Sequence, residues 1–401
     1  MYSKYYSGAA QSAQGSDVRK LLQYASLDNF ISFGGGLPSE DAFPLEAIKK
    51  ATDQAFITYG YRLLQYGPTE GVSSLLQAIE KIMKERHVQS SAENIMITTG
   101  SQQALDLCAK AFINKGDYII CESPTYLAAI NAFKAYEPRF LDAPMDDGGI
   151  IPEAVEDYLK QFPVKFIYLI PDFQNPTGRS LSTERRKKLI EIANAYNVII
   201  IEDSPYAELS YDHAPITPMK AYDTEDRIIY LSTFSKIVCP GLRLGWVVAE
   251  KGILEKLSIL KQAVDLHTNQ MAQYIVASYL EENDIKAQIE GIRKLYRSKR
   301  DAMLKAIEIH FPSDVQYTIP SGGMFIWAEL PEHIKARDVA DKALTHRIGF
   351  VPGDAFYPNG GFYNGMRLNF SNASFEDIEN GIARLGNLLK ETLTAERSPN
   401  L

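Results

Sequence analysis

The sequence predicts an α/β fold: a three-layer, mostly parallel sheet covered by helices, with a smaller α+β unit attached. Three observations carry this. Apolar runs of strand length alternate with helical stretches from about residue 95 to about residue 250. Two of those runs, FIYLI at 166–170 and VIII at 198–201, are unbroken, as strands buried on both faces of a parallel sheet are. From about residue 286 the pattern changes to a helix through His310, short strands, and a further helix at 336–345. The expected division is a large unit over 45–285 and a small one formed by 1–44 with 286–401.

Composition bounds the class. The chain has 401 residues, 45% hydrophobic and 23% charged, as in a soluble globular protein. A net charge of −8 leaves no basic footprint for nucleic acid. No apolar run approaches the roughly 20 residues of a membrane span. The first twenty residues lack an apolar export core, and the three cysteines (Cys108, Cys121, Cys239) are scattered in apolar contexts. They read as buried thiols in a reducing cytoplasm. The histidines show no metal spacing, and none of the glycine-rich nucleotide loops or the nucleophile elbow is present.

In chain order, residues 1–30 are a polar lead with a helix at 16–24, capped by Ser16 or Asp17 and carrying Arg19. ISFGGGLP at 31–38 is too glycine-rich for a strand interior; it is a surface turn or a place where backbone approaches a ligand or another chain closely. A helix follows from Phe43-Pro44 through Ala55. In LQYGPTEG at 64–71, Tyr66 is a ligand contact or a turn-packing aromatic. A helix at 72–84 follows.

Residues 94–107 read strand, turn at Gly100, helix. Ser101 and Gln102 open that helix, whose free N–H groups favour an anion, although an ordinary serine cap has the same local pattern. After the strand at 118–121, SPTY places Tyr126 past a carboxyl end, where ligands of α/β sheets sit. The strand at 166–170 runs into PDFQNPTG and so places Asn175 before the helix that starts near Ser182. The strand at 198–201 ends in Glu202, Asp203 and, shortly after, Tyr206. A buried aspartate there needs a cationic partner: a pyridinium, an arginine or a helix N-terminus.

Residues 228–246, IIYLSTFSKIVCPGLRLGW, join a buried strand to a polar turn. Lys236 stands among Ser232, Thr233 and Ser235 with apolar sequence on both sides, which lowers an amine's proton affinity and frees it as a nucleophile. The hydroxyls and Arg243 suit a phosphate dianion. A surface lysine at a strand end is the plain alternative. Then come a long helical region at 254–277, strands near 315–318, 323–329 and 350–351, and MRLNFS at 366–371. The last alternates strictly, so Arg367 shares a face with Asn369 and Ser371, toward water or toward a carboxylate.

Taken together, GGGLP (34–38), QYGPTEG (65–71), TTGSQQALDL (98–107), SPTY (123–126), NPTG (175–178), EDSPY (202–206), STFSKIVCPGLRLGW (232–246) and MRLNFS (366–371) resemble the fold type I pyridoxal-phosphate enzymes. Within these they resemble class I/II aminotransferases of the 2-aminoadipate, kynurenine and aromatic subgroup. The resemblance implies that Lys236 holds pyridoxal 5′-phosphate as an internal aldimine and later moves the proton between Cα and C4′. It implies that Asp203 pairs with the ring nitrogen, that Asn175 and Tyr206 hydrogen-bond the ring oxygen, and that Tyr126 stacks on the ring. Ser101, Gln102, Thr233, Ser235 and Arg243 would hold the phosphate; Thr233 stands where the family pattern has serine, with the hydroxyl kept. Tyr66 would reach into a neighbouring subunit's site, making the protein a homodimer with shared active sites. Arg367 would clamp the substrate α-carboxylate, Gly36 would lie over the substrate, and Arg19 matches a distal-carboxylate position.

The expected activity is amino transfer from a 2-aminoadipate or aromatic L-amino acid to 2-oxoglutarate. Two other readings use nearly the same residues: a C–S β-lyase, and the effector-like domain of a transcription regulator. Only 33 residues precede GGGLP, against the roughly 50 of a small independent domain, which disfavours the regulator.

Overall fold

The computed structural model describes residues 2–12, 15, 17–24 and 28–397. Its strands, in chain order, are β1 (Ile31–Ser32), β2 (Ile95–Thr98), β3 (Tyr118–Ser123), β4 (Arg139–Asp146), β5 (Gly149–Ile150), β6 (Val164–Leu169), β7 (Ile199–Asp203) and β8 (Ile228–Thr233). They continue with β9 (Gly245–Val248), β10 (Gln316–Tyr317), β11 (Phe325–Glu329), β12 (Ile348–Gly349), β13 (Val351–Pro352) and β14 (Gly365–Asn369).

β2 to β9 form one sheet in the order β2-β9-β8-β7-β6-β3-β4-β5. The β8-β7-β6-β3-β4 run is parallel throughout, whereas β9 is antiparallel to both its neighbours and β4-β5 is an antiparallel ladder. β6, β7 and β8 are laid down successively to one side of β3, and β4 to the other. The chain therefore reverses direction across the sheet between β3 and β6, and the crevice beyond the carboxyl ends there is where an open α/β sheet binds ligands. The central strands are apolar on both faces because helices cover both: Ile167 and Ile200 pack on one side with Leu189 and Ala193, Phe166 and Ile201 on the other with Leu105 and Ala109.

A second, four-stranded antiparallel sheet has the order β10-β11-β14-β13. The helices Ile285–His310 and Phe375–Arg397 accompany it. β1 pairs in parallel with β12, tying the start of the chain to its end.

Several expectations are refined. The helical region at 254–277 is two helices, Lys251–Gln262 and Gln270–Glu282, because Asn269 caps the second by accepting from the Ala272 N–H at 2.9 Å. Of the strand expected at 350–351, only Val351 is in one, β13; Phe350 is the single residue between β12 and β13. β4 and β5 go beyond the expected strands; RFLDAPMD has a proline inside it, tolerated because β4 lies near the sheet edge. Cys108 and Cys121 are buried, but Cys239 is only half-buried, because it lies in the turn leaving Lys236 rather than in a core layer. No described helix is long and apolar enough to cross a membrane.

Candidate active site

The carboxyl ends of β2, β3, β6, β7 and β8 open onto one cavity of about 380 Å³. Its lining brings together Gly36, Ser101, Gln102, Tyr126, Asn175, Asp203, Tyr206, Thr233, Ser235, Lys236, Arg243 and Arg367. Two expected residues are not among them. Tyr66 is 77% exposed and packs edge-on against His267 with ring centroids 5.7 Å apart, away from this cavity. The backbone of Arg19 lies in the helix Asp17–Tyr24, and its side chain lies outside the described residues.

Lys236 ends a single 3₁₀ turn, Phe234–Lys236, that follows β8 directly. Thr233 caps that turn: its Oγ1 accepts from the Ser235 N–H at 3.1 Å and donates to the Leu244 carbonyl at 2.8 Å. The lysine Nζ donates to the Gly36 carbonyl at 2.9 Å. Burial first, then the Arg243 and Arg367 charges, push the amine down to about 8. An appreciable fraction is therefore neutral near pH 7, as a nucleophile and proton carrier requires.

Asp203, the last residue of β7, is 1% exposed. Its Oδ2 accepts from the Tyr168 hydroxyl at 2.9 Å, whereas Oδ1 has no hydrogen-bond partner among the described residues. Burial pushes the carboxyl up to about 7, against the pull of the Tyr168 hydrogen bond. A buried, half-satisfied carboxyl is costly unless a donor or cation completes it.

Arg367, on β14, is the side chain that carries the second sheet into the site. It is 2% exposed, donates to Asn175 Oδ1 at 2.8 Å and to the Gly34 carbonyl at 2.5 Å, and leaves Nε without a partner among the described residues. Its guanidinium lies 4.4 Å from the Phe325 ring centroid and 5.1 Å from that of Phe356. Burial pushes it down to about 10. The alternation in MRLNFS therefore points Arg367 inward rather than to water. Asn175 also donates to the Tyr206 hydroxyl at 3.3 Å.

The Gly34–Ser39 loop roofs the cavity and is tied mainly to the second sheet and its helices. Ser371 donates to the Leu37 carbonyl at 2.8 Å, Lys299 donates to Ser39 Oγ at 3.0 Å, and the Ser39 N–H donates to the Tyr296 hydroxyl at 2.9 Å.

One end of the cavity is shaped for an anion. The helix Gly100–Phe112 points its N-terminus there. A Cβ on Gly100, which sits at φ +69°, would come within 2.6 Å of the Arg243 guanidinium; a Cβ on Gly245 would meet the Gly100 and Ser101 backbone at 2.7 and 2.8 Å. Only glycine lets these segments close up. Arg243 is held at φ +54°, a strained conformation for a residue with a side chain. Its guanidinium is exposed and has no hydrogen bond or ion pair among the described residues. Ser101, Thr233 and Ser235 line the same cavity. The unpartnered Asp203 Oδ1, the lowered amine of Lys236 and this glycine-lined cradle fit a phosphorylated aldehyde with a protonated ring nitrogen. Among the described residues no group of metal-ligating side chains gathers.

A supporting layer lies outside the residues that the sequence points to. Tyr168 reads there only as part of an apolar strand, yet a hydroxyl inside such a strand needs a buried partner, and that is the available signal. Gln174, next to Asn175, has no local pattern that marks it. Its Nε2 donates to the Pro124 carbonyl at 2.8 Å and to Glu122 at 3.2 Å, and its Oε1 accepts from the Thr177 N–H at 2.9 Å, fixing the loop that holds Asn175.

Comparison with known proteins follows the same lines. Residues 28–385 match the family described as aminotransferase class I and II. The chain is 44% identical over 398 residues to the aromatic-amino-acid aminotransferase 1 of Thermococcus litoralis, covering 98% of this chain and 95% of that one. It superposes with a TM-score of 0.94 on the multiple substrate aminotransferase of Thermococcus profundus, at 41% identity over 98% of this chain and 99% of that one. A TM-score of 0.92 relates it to the α-aminoadipate aminotransferase LysN of Thermus thermophilus, solved with N-(5′-phosphopyridoxyl)-L-leucine; identity is 38% over 98% of this chain and 99% of that one.

Proposed function

The chain belongs to the class I and II aminotransferases and uses pyridoxal 5′-phosphate, and we propose that it moves the amino group of a 2-aminoadipate-type or aromatic L-amino acid to 2-oxoglutarate. The carrying observation is the convergence on one cavity of a lowered amine, a buried aspartate and a buried arginine, the aspartate with a free oxygen and the arginine with no acidic partner among the described residues. The relatives named for aromatic, multiple and α-aminoadipate substrates support a broad donor range.

The bound cofactor supplies an electron sink that stabilises negative charge at the substrate Cα. In our reading the chain's residues do the rest. Lys236 holds the cofactor through Nζ and, once freed, takes and returns the Cα proton; its neutral fraction near pH 7 suits both tasks. Asp203 Oδ1 receives the ring N–H and keeps that nitrogen protonated. Asn175 and Tyr206 bond the ring oxygen, and Tyr126 covers the ring face. Ser101, Gln102, Thr233, Ser235 and Arg243 hold the phosphate. Arg367 orients the substrate carboxylate, with Asn175 beside it, and so fixes which Cα substituent faces Lys236. The Gly36 loop shields this chemistry from water.

We further propose a homodimer in which each Tyr66 completes the partner's site, supported by the exposure of Tyr66 beside the exposed Tyr61 and Leu64. Arg19 is proposed to meet a distal carboxylate. The division into 45–285 and 1–44 plus 286–401 fits the two sheets and the β1-β12 pair, and a cytoplasmic setting fits the free thiols. A donor panel with 2-oxoglutarate, comprising 2-aminoadipate, tyrosine, kynurenine, leucine and aspartate, tests the assignment. Preferred turnover of aspartate or leucine over both 2-aminoadipate and the aromatic donors overturns it.

A further inference from the structure

We infer that Tyr168 is a positioning residue for the cofactor, acting through Asp203: its hydroxyl fixes the carboxylate so that the free oxygen meets the ring nitrogen, and holds the proton of that pair on the ring. This rests on the assignment of Asp203 above.

The geometry leaves the two oxygens of Asp203 with different tasks. Oδ2 is taken by the Tyr168 hydroxyl at 2.9 Å, and Oδ1 has no partner among the described residues while Asp203 lines the cavity. Tyr168 sits in β6, fully buried, with its ring edge-on to Phe133 at 5.3 Å between centroids. A side chain so enclosed has little freedom to rotate, so its hydroxyl is a fixed donor. β6 and β7 are adjacent parallel strands in which Tyr168 is level with Ile201, two residues before Asp203. The hydrogen bond thus links the ends of two neighbouring strands.

The electrostatic direction follows from the surroundings. The titratable groups facing Asp203 are Tyr168 on β6, Glu122 on β3, Cys108 on the Gly100–Phe112 helix, and Tyr126 and Tyr206 on the cavity walls. None is a cation. Tyr168 is the one among them whose hydrogen bond favours the ionised carboxylate. Without that donor the carboxylate binds a proton more tightly. In a carboxylate–pyridinium pair the shared proton then moves from the ring nitrogen toward Asp203, and the ring withdraws electrons less strongly.

The test compares wild-type holoenzyme with Tyr168→Phe, Tyr168→His and Phe133→Leu, each loaded with cofactor labelled with ¹⁵N at the ring nitrogen. Tyr168→Phe removes one oxygen from a packed ring; cofactor content and circular dichroism check that the fold is kept. The expected result is a ring-nitrogen signal displaced toward the unprotonated position and a kcat lower by roughly tenfold to a hundredfold with KM for the amino acid unchanged, the scale of one hydrogen bond to a charged group. Tyr168→His, which keeps a donor, recovers part of the signal, and Phe133→Leu, which disturbs only the packing, leaves it in place. A wild-type signal and kcat in Tyr168→Phe, or an equal displacement in Phe133→Leu, overturns the inference. An unprotonated ring nitrogen in the wild type instead overturns the role given to Asp203, a separate outcome.

Discussion

Replacing Arg367 with methionine separates binding from folding. The guanidinium is buried, lacks an acidic partner, and is held to the protein by its bonds to Asn175 Oδ1 and the Gly34 carbonyl. Its proton affinity falls from 12.5 to about 10, so keeping it charged in the fold costs on the order of 3 kcal/mol at every pH below about 10. Methionine removes that cost and also removes two charge-assisted hydrogen bonds, each contributing about 1.5–3 kcal/mol. The opposing effects partly cancel, so the unfolding free energy of the cofactor-free protein should fall by no more than about 3 kcal/mol. The substrate loses more. Two hydrogen bonds from the guanidinium to an α-carboxylate contribute about 3–6 kcal/mol, so kcat/KM should fall by roughly 10²–10⁴. Urea unfolding gives the first quantity and steady-state transamination the second. An amine substrate lacking the α-carboxylate should be processed equally by both proteins. A kcat/KM within about tenfold of wild type for ordinary amino acids, or a defect of equal size for the decarboxylated amine, would refute the clamp.

Three further outcomes follow from the site. Lys236→Ala should lose the covalent attachment of the cofactor, the absorption band near ~420 nm and transamination, while in the wild type the rate of cofactor capture should rise with pH and level off above about 8, as a stopped-flow series reads. Asp203→Asn should abolish most activity yet stabilise the cofactor-free protein. The native carboxyl, raised from 3.8 to about 7, makes the wild type lose stability as pH climbs through that window, so urea midpoints should show a gain of up to about 4 kcal/mol at pH 8 that vanishes near pH 4. Gly245→Ala, whose Cβ would meet backbone atoms at 2.7 and 2.8 Å, should destabilise by about 1–3 kcal/mol and weaken cofactor affinity in equilibrium dialysis.

Much of this protein is readable from its residue order. Strand type was legible because FIYLI and the VIII run lack alternation, which only a strand covered on both faces can tolerate. The candidate site was legible because most of its parts sit at or just past strand ends, Arg367 inside β14 being the exception, in motifs whose order and spacing belong to one family. What escaped was the supporting layer. Tyr168 and Gln174 act through partners 35 and 52 residues away in sequence, Asp203 and Glu122, and no local pattern announces such a pairing.

Sequence alone determined the fold class and the family and pointed to the lysine and the aspartate as candidates, because local periodicity and motif spacing are properties of neighbouring residues. Tertiary structure decided the rest. It turned Arg367 inward under Phe325 and Phe356, left one Asp203 oxygen free among the described residues by committing the other to Tyr168, and packed Gly245 against the start of the helix Gly100–Phe112. Each depends on which distant segments close upon one another, and the burial that sets the proton affinities of Lys236, Asp203 and Arg367 exists only once they have.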